Sequence, residues 1–258
     1  MNILIKGDIM KNLVNKEGFQ IPENIIFPVR VDSKWEKLTT GEIFKGKKVI
    51  VFSLPGAFTP TCSSTHLPRY EELYDTFKSE GIDEVYCLSV NDTFVMNEWA
   101  EAQEIEKVKL IPDGNTHFTD VMGMLVDKED LGFGKRSWRY SILVDDGKVV
   151  KHFIEPDVEG DPFTVSDADT MLSFINKDAK KPDSITIFSK AKCPFCREAK
   201  ELLTKQGKSF NEVCLPDANR QKVLAGLTGK IQNTAPQIFV NGELIGGLDK
   251  YKERFGDK

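Results

Sequence analysis

The chain has 258 residues, 40% hydrophobic and 29% charged, with a formal net charge of −5. That composition suits one large soluble domain or two modest ones, and offers no basic surface for nucleic acid or an anionic membrane as main partner. No apolar run is long enough to span a bilayer, and the run at residues 3–5 is too short for a signal-peptide core, so a cytoplasmic location is expected.

Residues 20–176 alternate apolar strands with helical patterns. Residues 48–54, 84–90 and 141–144 read as buried strands. Between the first two, Leu67, Tyr70, Tyr74 and Phe77 recur at three- and four-residue steps, the spacing of a helix with one buried face. Residues 149–154 follow across an Asp146-Gly147 turn, a hairpin signal. The texture then changes. Residues 177–183 are polar, contain Pro182 and read as a linker. Residues 184–258 follow the order βαβαββα: a strand at 184–189, and a helix from Cys193 with Phe195, Ala199 and Leu202 on one face. A strand at 210–214 and a hairpin around Asn241-Gly242 come next. Strands mixed with helices in both segments give an α/β expectation, with domains at 20–176 and 184–258.

Five cysteines, at 62, 87, 193, 196 and 214, are an odd set for a secreted disulfide framework and point to redox chemistry, metal binding or packing. Cys193-Pro194-Phe195-Cys196 lies after a strand and opens a helix, where unpaired amides and the helix dipole favour a thiolate. Pro194 suits a first helical turn. Lys190 and Lys192 add positive charge. The competing reading, half a zinc site, needs two further ligands, and the histidines (His66, His117 and His152) all lie in the first segment, so no metal is expected.

The motif resembles the glutaredoxin active site. Thr234-Ala235-Pro236 is similar to that family's TVP segment, and Gly246-Gly247-Leu248-Asp249 to its GG-x-D element. The resemblance implies a cis-proline at Pro236 and a glutathione groove. Thr234 and Ala235 would contact the tripeptide backbone, Asp249 its γ-glutamyl amine and Lys190 a carboxylate. Gln232 stands where many members have Arg, which weakens one carboxylate contact. The iron–sulfur branch has Gly-Phe-Ser after a single cysteine, so Pro-Phe-Cys favours redox chemistry.

Cys62 ends the run Pro55-Gly56-Ala57-Phe58-Thr59-Pro60-Thr61, between a strand and a helix, again where a thiolate is favoured. On the local sequence alone it reads equally as a buried structural cysteine. Pro55 to Cys62 is similar to the peroxiredoxin motif PxxxTxxC, and residues 63–68 extend the likeness to the type-5 branch. Residues 136–141 resemble its arginine strand. The resemblance implies a second thioredoxin-like fold, with Cys62 as peroxidatic nucleophile. Thr59 would bond thiolate and peroxide, Arg139 would stabilise both, and Pro55 would shield the site. His66 reads as a packing residue, Arg136 as solvated, and Cys87 and Cys214 as packing.

The late loop where a type-5 resolving cysteine can sit is Thr164-Val165-Ser166 here and has no cysteine. The combined resemblance therefore implies a glutathione-dependent thiol peroxidase. Cys62 would reduce hydrogen peroxide and alkyl hydroperoxides, and the product would be reduced by glutathione through Cys193, with Cys196 optional. A homo-oligomer, dimer or tetramer, is implied as well. The alternative is a peroxide-sensing relay protein.

Overall fold

The computed structural model describes residues 13–158 and 160–256; the apolar run at residues 3–5 lies outside them. The chain divides into two compact units, Met1–Lys180 and Lys181–Lys258.

The first unit opens with an antiparallel hairpin, β1 (Ile26–Val31) and β2 (Lys34–Thr39). Helix α1 (Thr40–Phe44) follows, its N-terminus closed by a Thr39–Glu42 capping box. The central strand β3 (Lys48–Leu54) leads into a short π-helical turn, Cys62–His66, then α2 (Leu67–Glu72) and α3 (Tyr74–Ser79). Next come β4 (Glu84–Ser89), α4 (Thr93–Ala102), β5 (Lys109–Pro112) and α5 (His117–Val121). A small ribbon, β6 (Leu125–Asp127) with β7 (Lys135–Ser137), precedes β8 (Tyr140–Asp145), β9 (Lys148–Ile154) and α6 (Ala168–Ile175).

Five strands form one sheet in the order β5-β4-β3-β8-β9, with β3, β4 and β5 parallel and β8 and β9 antiparallel. Side chains alternate across it. Val49 and Val51 face a core with Phe27, Ile43, Phe118 and Trp138. Ile50, Phe52 and Leu54 face the opposite core, with Leu67, Tyr70, Trp99 and Met171. Cys62 and Cys87 belong to this second core, Cys87 opposite Phe52 in the parallel register. The Asp146-Gly147 turn has both residues at positive φ, 45° and 77°, which suits the twist of the β8–β9 hairpin.

The helix expected through Leu67 and Phe77 breaks at Leu73, whose ψ is 0°. The break brings Leu73 into the core and leaves Tyr74 half-buried, its hydroxyl donating to Glu84 at 2.6 Å.

The second unit holds β10 (Ile185–Ser189), α7 (Pro194–Lys205), β11 (Asn211–Cys214), α8 (Asp217–Thr228), β12 (Gln237–Val240), β13 (Glu243–Gly246) and α9 (Leu248–Phe255). The sheet order is β11-β10-β12-β13, with only the β10–β11 pair parallel. Ile185, Ile187, Ala199, Leu203, Ile238 and Tyr251 make its core.

Two expectations fail here. Phe195 is 61% exposed, because the buried face of α7 runs through Cys196, Ala199 and Leu203, with Leu202 only half-buried. Cys214 is exposed, because it ends the edge strand β11, which no further strand covers. Among the described residues no helix is long and apolar enough to cross a membrane, and no cluster of three or more His, Cys, Asp or Glu could hold a metal ion.

Candidate active site

The loop after β3 is held in place before any chemistry is considered. Asn91 Oδ1 accepts from the Ala57 amide at 3.1 Å and from the Ser89 hydroxyl at 2.7 Å. Phe58 takes a left-handed conformation, φ 62°, which is uncommon for a large side chain and is stored strain at a site the surroundings over-determine. Thr59 donates its hydroxyl to the Gly56 carbonyl at 2.9 Å, which leaves its oxygen free to accept. The π-helical turn is clamped by Trp99 Nε1, 3.0 Å from Ser63 Oγ.

Cys62 is fully buried on this turn. Arg139, just before β8, is also buried, and its Nη2 lies 3.5 Å from Cys62 Sγ. The same Nη2 is 2.6 and 2.7 Å from the two carboxylate oxygens of Asp161. Nη1 lies 3.0 Å from His66 Nδ1. Burial works against the Arg139 charge, but the Cys62 sulfur and Asp161 outweigh it and hold the guanidinium more firmly protonated than usual.

Arg139 can only donate, so His66 Nδ1 accepts and Nε2 carries the hydrogen toward the Ser166 carbonyl, 3.2 Å away. Burial, with the Arg139 charge second, holds His66 well below its ordinary pKa, so the ring is neutral. His66 is thus a packing residue that also orients Arg139, a role its sequence position did not signal. Tyr70 donates to the same Ser166 carbonyl at 3.0 Å.

Ser166 is itself fixed by Glu155. This buried carboxylate accepts from the amides of Thr164, Val165 and Ser166 at 2.8, 2.9 and 2.8 Å, and from the Thr164 and Ser166 hydroxyls. Burial alone would raise the Glu155 pKa, but these donors, led by the Val165 and Ser166 amides, hold it below the usual carboxylate range.

A cavity of about 190 Å³, lined by Pro55, Thr59, Trp138, Arg139 and Asp161 among others, lies over this arrangement. Arg136 does not line it. Nor is Arg136 simply solvated: it is half-buried and donates to the Val90 carbonyl at 3.0 Å. Cys87 is core, and burial pushes its thiol well above the ordinary range.

The second unit carries its own sulfur site. Cys193 caps α7, and its Sγ accepts from the Cys196 amide at 3.2 Å, an orphan donor of the first helical turn. The Ala235–Pro236 peptide is cis, and the Ala235 carbonyl lies 3.6 Å from Cys193 Sγ. Cys196 sits behind, its thiol pushed up to about 11 by burial and by its bond with Cys193. A cavity of about 780 Å³ gathers Lys190, Cys193, Thr234, Ala235, Pro236 and Asp249. Thr234 Oγ1 accepts from Gln237 Nε2 at 2.8 Å. Gly246, at φ 114°, takes a conformation open to glycine alone just before α9 presents Asp249.

Sequence reading missed two ionic contacts of these sites, Asp161 on Arg139 and Arg220 on Asp217. Arg220 is buried, with Nη2 2.8 Å from Asp217 Oδ1, and Nε and Nη1 without partners among the described residues; Asp217 Oδ2 lies 3.6 Å from Lys190.

The redoxin family matches residues 16–172 and the glutaredoxin family residues 185–245. The chain is 55% identical over 240 residues to hybrid peroxiredoxin hyPrx5 of Haemophilus influenzae, covering 93% of this chain and 98% of that protein. Over 153 residues, 58% of this chain and 80% of the relative, it is 60% identical to peroxiredoxin sll1621 of Synechocystis. Two solved structures are similar to part of the chain. Reduced Prx3 of Vibrio vulnificus in complex with hydrogen peroxide has TM-score 0.58 and 37% identity, covering 63% of this chain and 99% of that one. The 1-Cys peroxiredoxin of Plasmodium falciparum has TM-score 0.60 and 39% identity, covering 64% and 100%. The chain belongs to the redoxin family as a hybrid peroxiredoxin, a peroxidase with two thioredoxin-like domains, the second a glutaredoxin.

Proposed function

We propose that the chain is a glutathione-dependent peroxidase in which Cys62 reduces hydrogen peroxide and alkyl hydroperoxides, and Cys193 returns the electrons of glutathione to it. The observation that carries this reading is the Arg139 guanidinium set against the Cys62 sulfur at 3.5 Å, beside a cavity that also holds Thr59 and Pro55. A buried cation favours the thiolate, and the same group can stabilise charge as the O–O bond breaks.

In the first step the Cys62 thiolate attacks the terminal oxygen of the hydroperoxide. An S–O bond forms and the O–O bond breaks; the attacked oxygen keeps its hydrogen, which leaves Cys62 as sulfenic acid, and the alkoxide takes from water a proton equivalent to the one the thiol lost on ionising and leaves as alcohol. Thr59 accepts a hydrogen bond from the peroxide through its free lone pairs, and Arg139 bears on the oxygens. Pro55, without an N–H, keeps competing donors away from the sulfur. The complex of the Vibrio vulnificus relative with hydrogen peroxide supports the smallest peroxide as one substrate.

Cys87 is the one other cysteine of this unit, and its thiol is buried and protonated, so an external thiol is needed. Glutathione condenses with the sulfenic acid, releasing water and leaving a mixed disulfide. Cys193 attacks the glutathione sulfur, freeing Cys62. A second glutathione clears Cys193 and leaves as glutathione disulfide. The groove suits the tripeptide: Lys190 for a carboxylate, the edge at Thr234, Ala235 and Pro236 for its backbone, and Asp249 for the γ-glutamyl amine. The cytoplasm, which keeps thiols reduced, suits this cycle. A dimer or tetramer would let Cys193 of one chain serve Cys62 of another.

The test is peroxide-dependent NADPH oxidation, coupled through glutathione and glutathione reductase. Loss of turnover in both Cys62→Ser and Cys193→Ser is expected. Full turnover without Cys193 would remove the second unit from the cycle and favour a sensor whose turnover is incidental.

A further inference from the structure

Both hydrogens on the Arg139 nitrogen nearest the sulfur are already engaged. Nη2 has two. One points to Cys62 Sγ at 3.5 Å, and the other is shared by Asp161 Oδ1 and Oδ2 at 2.6 and 2.7 Å. One of the two Nη1 hydrogens is engaged with His66. Nε is buried and has no partner among the described residues. The nitrogen nearest the sulfur therefore has no donor to offer an incoming peroxide oxygen. The cavity leads to the same conclusion: Arg139 and Asp161 line it, while Cys62 does not line it and is 0% exposed.

Asp161 differs from the other partners of Arg139 in being free to leave. Its side chain is 45% exposed, whereas His66 is fully buried. Gly160, at φ 97°, precedes it. Glu155 pins the loop only from Thr164 onward.

We propose that Asp161 is a carboxylate gate on the peroxide site: it holds Arg139 while the site is empty, and must release it before a hydroperoxide can be oriented against Cys62. This rests on the roles given above to Cys62 and Arg139. No covalent step is added; the peroxide oxygens take over the Nη2 hydrogen that the carboxylate gives up. While paired, Asp161 also cancels part of the positive charge that favours the thiolate. Among the described residues, the charged or titratable groups set against the sulfur are the Arg139 cation and the protonated Cys87 thiol of β4, with the neutral His66 ring against Arg139.

The test uses the full chain as wild type, D161N and D161S, with C62S as control. First-turnover oxidation by hydrogen peroxide is followed by tryptophan fluorescence in stopped flow. Alkylation of Cys62 by iodoacetamide is followed against pH, with the site read by mass spectrometry. Both neutral variants should oxidise several-fold faster than wild type, and their alkylation profiles should move down by about one pH unit. A role confined to holding the loop would slow oxidation and leave the profile in place. A rate that fails to rise, or a profile that fails to move down, overturns the gate. Peroxide consumption by C62S at the wild-type rate would instead sink the assignment of Cys62, and the gate with it.

Discussion

Arg139 Nη1 donates to His66 Nδ1 at 3.0 Å, and this bond fixes the imidazole with its other nitrogen toward the Ser166 carbonyl. A buried neutral histidine thereby aims the cation that faces Cys62. The chain of contacts runs Glu155, Ser166, His66, Arg139, Cys62, and the last three links join segments 73 or more residues apart.

Removing the His66 ring should therefore impair the peroxide step alone. His66→Ala leaves an Arg139 N–H buried without its acceptor, and a buried bond to a charged group is worth about 1.5–3 kcal/mol. If the loss falls mainly on the transition state, kcat/KM for peroxide drops about 10- to 100-fold. Reduction of a small glutathione mixed disulfide by the same protein, which uses Cys193, should be unchanged.

Arg139→Lys should cost more. A lysine ammonium cannot reach His66, Cys62 and a peroxide oxygen together, because its donors radiate from one point while the guanidinium fork spans them. Losing such a preorganised donor costs about 100- to 1000-fold in rate. First-turnover oxidation of Cys62 by hydrogen peroxide measures it directly.

Low pH should act on the same contacts. His66 is held neutral in the fold but takes a proton near pH 6.5 when unfolded, so its contribution is full above that value and is lost as pH falls below it. Glu155 is likewise depressed, so its contribution is present above the ordinary carboxylate range and is lost as pH falls through it. Urea midpoints should decline below about pH 6.5 and again below about pH 4.5. Glu155→Gln should flatten the lower step and lower the neutral-pH stability by about 1–3 kcal/mol, since amides of the late loop lose their acceptor.

What the sequence discloses follows the range of the interactions involved. Strand β3 was legible because Val49 to Phe52 form a continuous apolar run, and the Asn241-Gly242 hairpin because its turn needs residues that tolerate positive φ. The cysteine motifs at 62 and 193 were legible because their neighbours are contiguous. The exposure of Phe195 was not: one residue's offset around α7 decides whether a side chain enters the core, and the periodicity of so short a motif leaves that offset open. The break at Leu73 depends on how α2 and α3 pack against the sheet, which spacing alone does not encode. Arg139 lies 73 residues from His66 and 22 from Asp161, so no local pattern could pair them.

Cys193 takes the Cys196 amide as a hydrogen-bond donor, whereas burial and the bond to Cys193 push the Cys196 thiol up to about 11. At neutral pH only a minute fraction of Cys196 is thiolate, and the thiolate is the attacking species. A glutathione adduct on Cys193 should therefore be cleared by a second glutathione faster than by Cys196 from behind. Cys196→Ser should keep most of the glutathione-linked peroxidase turnover, and Cys193→Ser should lose it while still oxidising Cys62 in a single turnover. Raising the pH toward 9 should bring the dithiol route into view as a Cys193–Cys196 disulfide trapped by acid quench. Collapse of turnover in Cys196→Ser at pH 7 would reverse the assignment and make the dithiol route the working one.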